Sequence, residues 1–264
     1  AAGTSAVTNA CYVIGHSFVG GIIGINNAGS TISDCINKGI AAGDGIDIGG
    51  IAGKNRGTVG SLAVINNCSG SFNDYGNTQF NLIKTTWGLL GSNVGGLVGY
   101  NEYGSVTYKY ESGTLAASNS VSSVAVGYNN VGGVIGFNGA HGSVSLNFAS
   151  GASSSGYISG KVFGAGDCVG GFIGLNLSPS VFTGDAFNVS TAAVDGRYCV
   201  GGTIGANLDE GASKDVSMTL RYVNSVSKIT GTSLVGGLIG YNEMVTKIVS
   251  AAGSDTALTD SDAL

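Results

Sequence analysis

The sequence predicts an all-β fold: a single-stranded parallel β-helix, or β-solenoid, of about seven coils of roughly 35 residues. Three observations predict it. The pattern apolar-Gly-Gly-apolar-small/apolar-Gly-x-Asn occurs seven times, at Val19–Asn26, Ile48–Asn55, Val94–Asn101, Val131–Asn138, Val169–Asn176, Val200–Asn207 and Val235–Asn242. The starts lie 29, 46, 37, 38, 31 and 35 residues apart, the spacing of one supersecondary unit stacked on copies of itself. Helical periodicity is missing, while period-two alternation follows the motif, as in Gly104-Ser105-Val106-Thr107-Tyr108-Lys109-Tyr110 and Gly142-Ser143-Val144-Ser145-Leu146-Asn147-Phe148. Such alternation marks a strand with one buried face.

The elements follow in chain order. Residues 1–18 make a partial N-terminal coil, 19–242 the solenoid of seven repeats, and 243–264 a C-terminal strand and polar tail. Within a coil the motif leads to a turn and an alternating segment. A Gly such as Gly113 or Gly151 follows, and then a third short run such as Tyr157-Ile158-Ser159-Gly160-Lys161-Val162. Three short strands per coil are expected, giving a rod roughly 35 Å tall at ~4.8 Å per coil.

Each motif position has a physical reason. The Gly pair permits positive φ or a close approach that a Cβ would block. The fifth motif residue (Ile23, Ala52, Val98, Ile135, Ile173, Ile204, Ile239) is expected to stack with its equivalents in the core. The final Asn is present in all seven copies: Asn26, Asn55, Asn101, Asn138, Asn176, Asn207 and Asn242. Stacked identical amides hydrogen-bond as a ladder, so these Asn are expected to be structural. Copies two and six depart from the pattern, with Lys54 and Ala206 where others are large and apolar, and Thr203 where others are apolar.

Composition narrows the setting. Glycine supplies 48 residues and proline one, without a collagen period, and 43% of residues are hydrophobic. Charged residues make up only 10%, against roughly 25% in ordinary domains, so Ser, Thr, Asn and Gly must cover the surface. With 11 Lys+Arg and 16 Asp+Glu there is no basic stripe, which argues against nucleic-acid and anionic-membrane partners. No apolar run approaches a membrane span of roughly 20 residues.

The segments Val94-Gly95-Gly96-Leu97-Val98-Gly99-Tyr100-Asn101 and Val235-Gly236-Gly237-Leu238-Ile239-Gly240-Tyr241-Asn242 resemble the GLUG repeat. Asp34-Cys35-Ile36-Asn37 and Asn67-Cys68-Ser69-Gly70 are similar to its second strand. That repeat occurs in large bacterial surface proteins, including adhesins and non-catalytic parts of immunoglobulin-A-cleaving metallopeptidases. The resemblance implies a secreted or cell-surface β-rich module and transfers no catalytic residue. His16 and His141 lie outside any H-E-x-x-H context.

Candidate chemistry is sparse. Cys168 and Cys199 each precede a motif Val in adjacent copies; a disulfide and a stacked pair of thiols both stay open. Cys35 and Cys68, with Cys11, are expected to form a second column, and no zinc spacing is present. Asp47 and Asp167 share a place near the motif but stand three coils apart, roughly 14 Å by strand spacing, too far for paired acid–base work. No cofactor is expected; calcium at Asp44 and Asp47, or at Asp255, Asp260 and Asp262, is the alternative. The longest gap between copies holds Phe72, Tyr75, Phe80 and Trp87. Their rings either hold a long loop down or offer a glycan- or protein-binding site. The expectation is therefore a non-enzymatic, extracellular structural or adhesive solenoid. It would associate end to end with its own copies or with other surface proteins, and glycan binding on the 69–93 loop is the alternative.

Overall fold

In the computed structural model, the described residues are 7–70, 90–110, 121–122, 125–148, 156–159, 161–177, 181–185, 187–189, 193–209, 218–221, 224–225, 228–244 and 246–249. They are all strand, turn and bend, and every strand-to-strand ladder is parallel and in register, as in a parallel β-helix. A coil holds five short strands rather than three. In the third coil these are Ser92–Gly95, Val98–Glu102, Gly104–Tyr110, Val121–Ser122 and Ala125–Gly127. The extra strands arise because the motif itself bends at Gly96-Leu97, splitting into two strands, and because the stretch after the alternating segment splits again.

Stacking these strands gives three seven-stranded sheets. Sheet 1 carries the motif's opening residue, with Val19, Ile48, Val94, Val131, Val169, Val200 and Val235 aligned. Sheet 2 carries the fifth residue and the Asn, and sheet 3 the alternating segment. Shorter sheets complete the circuit. Two separate sheets, together labelled sheet 4, hold Val7–Asn9 with Cys35–Asn37 and, farther along, Val121–Ser122 with Gly156–Ser159. Two further separate sheets, together labelled sheet 5, hold Val13–Gly15 with Ala41–Gly43, and Ala125–Gly127 with Lys161–Gly164.

Two hydrophobic columns run along the stack. The first joins the fourth and fifth motif residues (Leu97, Val98, Val134, Ile135, Phe172, Ile173) to the inward side chains Ile65, Val106 and Val144 of sheet 3. The second joins the opening Val of sheet 1 to Ala41, Ala125, Val162 and Val194 of sheet 5. Each fully buried Ile or Val stabilises by about 1.5–3 kcal/mol.

Between the columns lies a seam made of glycine. A Cβ on Gly95 would collide with the Val98 carbonyl and meet the Val134 carbonyl and Gly136 amide of the next coil. One on Gly136 would strike the Asn93-Val94 peptide and the Gly99 carbonyl. Sheets 1 and 2 therefore pack backbone on backbone, and close approach is what the first and third motif glycines supply. Among the described residues the positive-φ glycines are Gly29 and Gly60, both outside the motif.

The motif Asn form a continuous ladder. Each Nδ2 donates to the next Oδ1: Asn26 to Asn55 (2.8 Å), Asn55 to Asn101 (2.9 Å), Asn101 to Asn138 (2.9 Å), Asn138 to Asn176 (2.8 Å), Asn176 to Asn207 (2.7 Å) and Asn207 to Asn242 (2.8 Å). The second N–H of several members reaches a carbonyl at the start of sheet 3, such as Ala63, Gly104 or Gly142. The ladder thus ties each coil to the next and closes the turn between sheets 2 and 3.

Candidate functional site

The corner where each coil enters sheet 1 departs from ordinary strand geometry. The residue before the motif is left-handed in all seven copies: Phe18, Asp47, Asn93, Asn130, Cys168, Cys199 and Leu234, with φ between 53° and 62°. Asn and Asp tolerate this region best, because their short polar side chains bond locally. Here they do so along the stack: Asn130 Nδ2 donates to Asn93 Oδ1 and Asn93 Nδ2 to Asp47 Oδ1, both at 2.8 Å. Asp47 is 2% exposed, and its burial pushes the carboxyl above the ordinary carboxylate range, against the Asn93 bond and nearby Lys54, which pull it down.

Cys168 and Cys199 continue this column as half-buried free thiols. Burial, with Cys199 and Asp167 beside it, pushes Cys168 up to about 12; burial raises Cys199 as well, offset in part by the Cys168 bond. Alongside, Arg197 grips Asp167 with two bonds, Nε to Oδ1 at 3.1 Å and Nη2 to Oδ2 at 3.3 Å. Its guanidinium lies 4.9 Å from the Tyr198 ring centroid. Tyr128 and Tyr198 are exposed, so coils four to six present two phenol rings, an ion pair and two thiols on one corner.

Sheet 2 carries a second row, Ile25, Lys54, Tyr100, Phe137, Leu175, Ala206 and Tyr241, aligned by register. Tyr100 and Phe137 stack at 4.8 Å. The irregular Lys54 sits 4.4 Å above the Tyr100 ring and pairs with Glu102 at 3.2 Å. The other departure, Thr203, is fully buried with a hydroxyl that has no hydrogen-bond partner.

The register corrects one sequence expectation and refines another. Val7 rather than Cys11 aligns with Cys35, so Cys35 and Cys68 stack without Cys11, which is exposed beside Gly39. Asp47 aligns with Cys168, one residue past Asp167, whose partner is Arg197. Asp44 binds His16 at 2.7 Å, which lowers its carboxyl. Among the described residues no three His, Cys, Asp or Glu side chains are grouped to hold a metal. Phe72, Tyr75, Phe80 and Trp87, and the tail Asp255, Asp260 and Asp262, lie outside the described residues.

The left-handed column escaped sequence reasoning because its residue types differ from copy to copy. The usable signal was the run Asp47, Asn93, Asn130 in the place before the motif. No protein-family model, no curated protein and no solved structure matches this chain.

Proposed function

We propose that this protein is a non-catalytic, extracellular β-solenoid with a structural or adhesive role, working as a segment or subunit of a larger cell-surface or filamentous assembly. One observation carries the reading. Val235, in the last described coil, is 46% exposed, whereas its equivalents Val131, Val169 and Val200 are 0% exposed. Leu234 is 48% exposed beside it, and a Cβ on Gly237 would meet nothing within 4 Å. Among the described residues, Ser233–Gly236, Ile239–Asn242 and Thr246–Val249 each pair on one side only. Unpaired strand edges are templates for another coil, and head-to-tail addition that does not close on itself gives filaments. The low charge and the GLUG-like motif support the surface setting.

Electron micrographs across a concentration series test this. Rods that lengthen along the solenoid axis, and that Val235→Asp shortens, are the expected result. Isolated particles at every concentration, with light scattering reading a constant mass, would sink it. The exposed Tyr128, Tyr198 and Arg197 favour a second reading, in which a glycan stacks on the rings. A glycan array assigns such binding to the corner if Tyr198→Ala abolishes it, or to the 69–93 loop if Trp87→Ala does. An array blank for the parent protein rejects it.

A further inference from the structure

The corner of coils five and six holds two thiols that the structural role leaves without a task. Cys168 and Cys199 precede residues paired in register, Val169 with Val200. Adjacent strands stand about 4.8 Å apart, inside the Cα window of roughly 4.4–6.8 Å for a disulfide. Both residues share the left-handed backbone, φ 61° and 53°, so both side chains point the same way. In the same column, and with the same backbone, the Asn93 and Asp47 side chains already meet tip to tip at 2.8 Å. Both residues are partly open to solvent.

The molecule contains its own control. Cys35 and Cys68 are also stacked in register, but they are 6% and 2% exposed, and their thiols donate to the Ser33 and Asn66 carbonyls at 3.3 Å. Burial keeps reagents from that pair.

We propose that Cys168 and Cys199 are a reversible redox staple: a low-molecular-weight disulfide such as oxidised glutathione converts them to a disulfide that joins coil five to coil six. Cys199 loses its proton, its sulfur attacks one sulfur of the reagent and breaks the S–S bond, and the expelled thiolate takes up a proton and leaves as a thiol, leaving a mixed disulfide on Cys199. Cys168 then loses its proton, attacks the Cys199 sulfur and releases the second thiol. Two protein thiols are oxidised by two electrons, and one reagent disulfide is reduced to two thiols. In-register side chains leave the two Cβ atoms farther apart than an unstrained disulfide prefers. Strained bonds have more oxidising potentials, so small thiols reverse this one readily.

The test uses the full chain, treated with excess oxidised glutathione, denatured, alkylated and digested with trypsin. Cleavage after Lys161, Arg197 and Lys214 separates the two cysteines. Peptides 162–197 and 198–214 should be recovered joined in most chains, and unjoined after dithiothreitol, with Cys35 and Cys68 alkylated throughout. Cys168→Ser should trap glutathione on Cys199, and Cys199→Ser should leave Cys168 alkylated. Recovery of both peptides unjoined from the parent protein, in a sample whose exposed Cys11 carries glutathione, would overturn the proposal.

Discussion

Asn138 stands in the middle of the amide ladder, and replacing it measures how strongly the ladder holds the coils together. Its side chain accepts from Asn101 at 2.9 Å and donates to Asn176 at 2.8 Å and to the Gly142 carbonyl at 3.3 Å. The residue is 0% exposed, so water does not replace what is lost. Asn138→Ala breaks both ladder bonds and leaves Asn176 Oδ1 and the Gly142 carbonyl short of a donor. At ~1–3 kcal/mol per orphaned buried group, the expected loss is about 3–4 kcal/mol. Asn242→Ala removes one ladder bond at a part-buried position, where solvent compensates, and should cost about 1 kcal/mol. Asn138→Asp keeps the acceptor facing Asn101 but sets an oxygen against Asn176 Oδ1. Its folded pKa must therefore lie above the unfolded value of about 3.9. Stability relative to the parent is then retained below that unfolded value and lost as pH rises through the folded one. Urea unfolding followed by circular dichroism reads all three variants, with equal m-values showing that the same unit unfolds. Equal costs at Asn138 and Asn242, or a pH-independent penalty for Asn138→Asp, would refute a cooperative ladder.

Other positions give sharper single outcomes. Asp47→Asn should stabilise the protein at neutral pH: the buried carboxyl has a raised folded pKa, so its contribution falls as pH rises through that pKa, and the parent-minus-variant difference should shrink on acidification. Thr203→Val replaces a buried hydroxyl without a partner by a methyl of equal shape and should gain about 1 kcal/mol in denaturant unfolding. Gly136→Ala drives a Cβ into the Asn93-Val94 peptide and should unfold or badly destabilise the chain. Gly237→Ala, with nothing within 4 Å of the new methyl, should shift the midpoint little; equal damage at both sites would deny the glycine seam.

Much of the scaffold was legible without coordinates because a stacked repeat writes its periodicity directly into the chain. The seven motif copies specify seven in-register coils, since the constant spacing within each copy aligns Val with Val and Asn with Asn while the loops between copies absorb the differences in length. The Asn ladder follows from the same repetition: one amide both donates and accepts, so identical neighbours satisfy each other. Other features depended on how the chain bends within a coil. The motif's bend at Gly96-Leu97 sends Val94 to one column and Leu97 and Val98 to the other, and period-two alternation does not describe a bend. The exclusion of Cys11 from the Cys35–Cys68 stack is a matter of register in an incomplete repeat, where no motif marks the alignment. The left-handed column joins Phe18, Asp47, two Asn, two Cys and Leu234, residues with nothing chemical in common. What they share is a backbone angle imposed by the corner between sheets 5 and 1, and that angle, together with the stacking above and below, brings two distant thiols to one place.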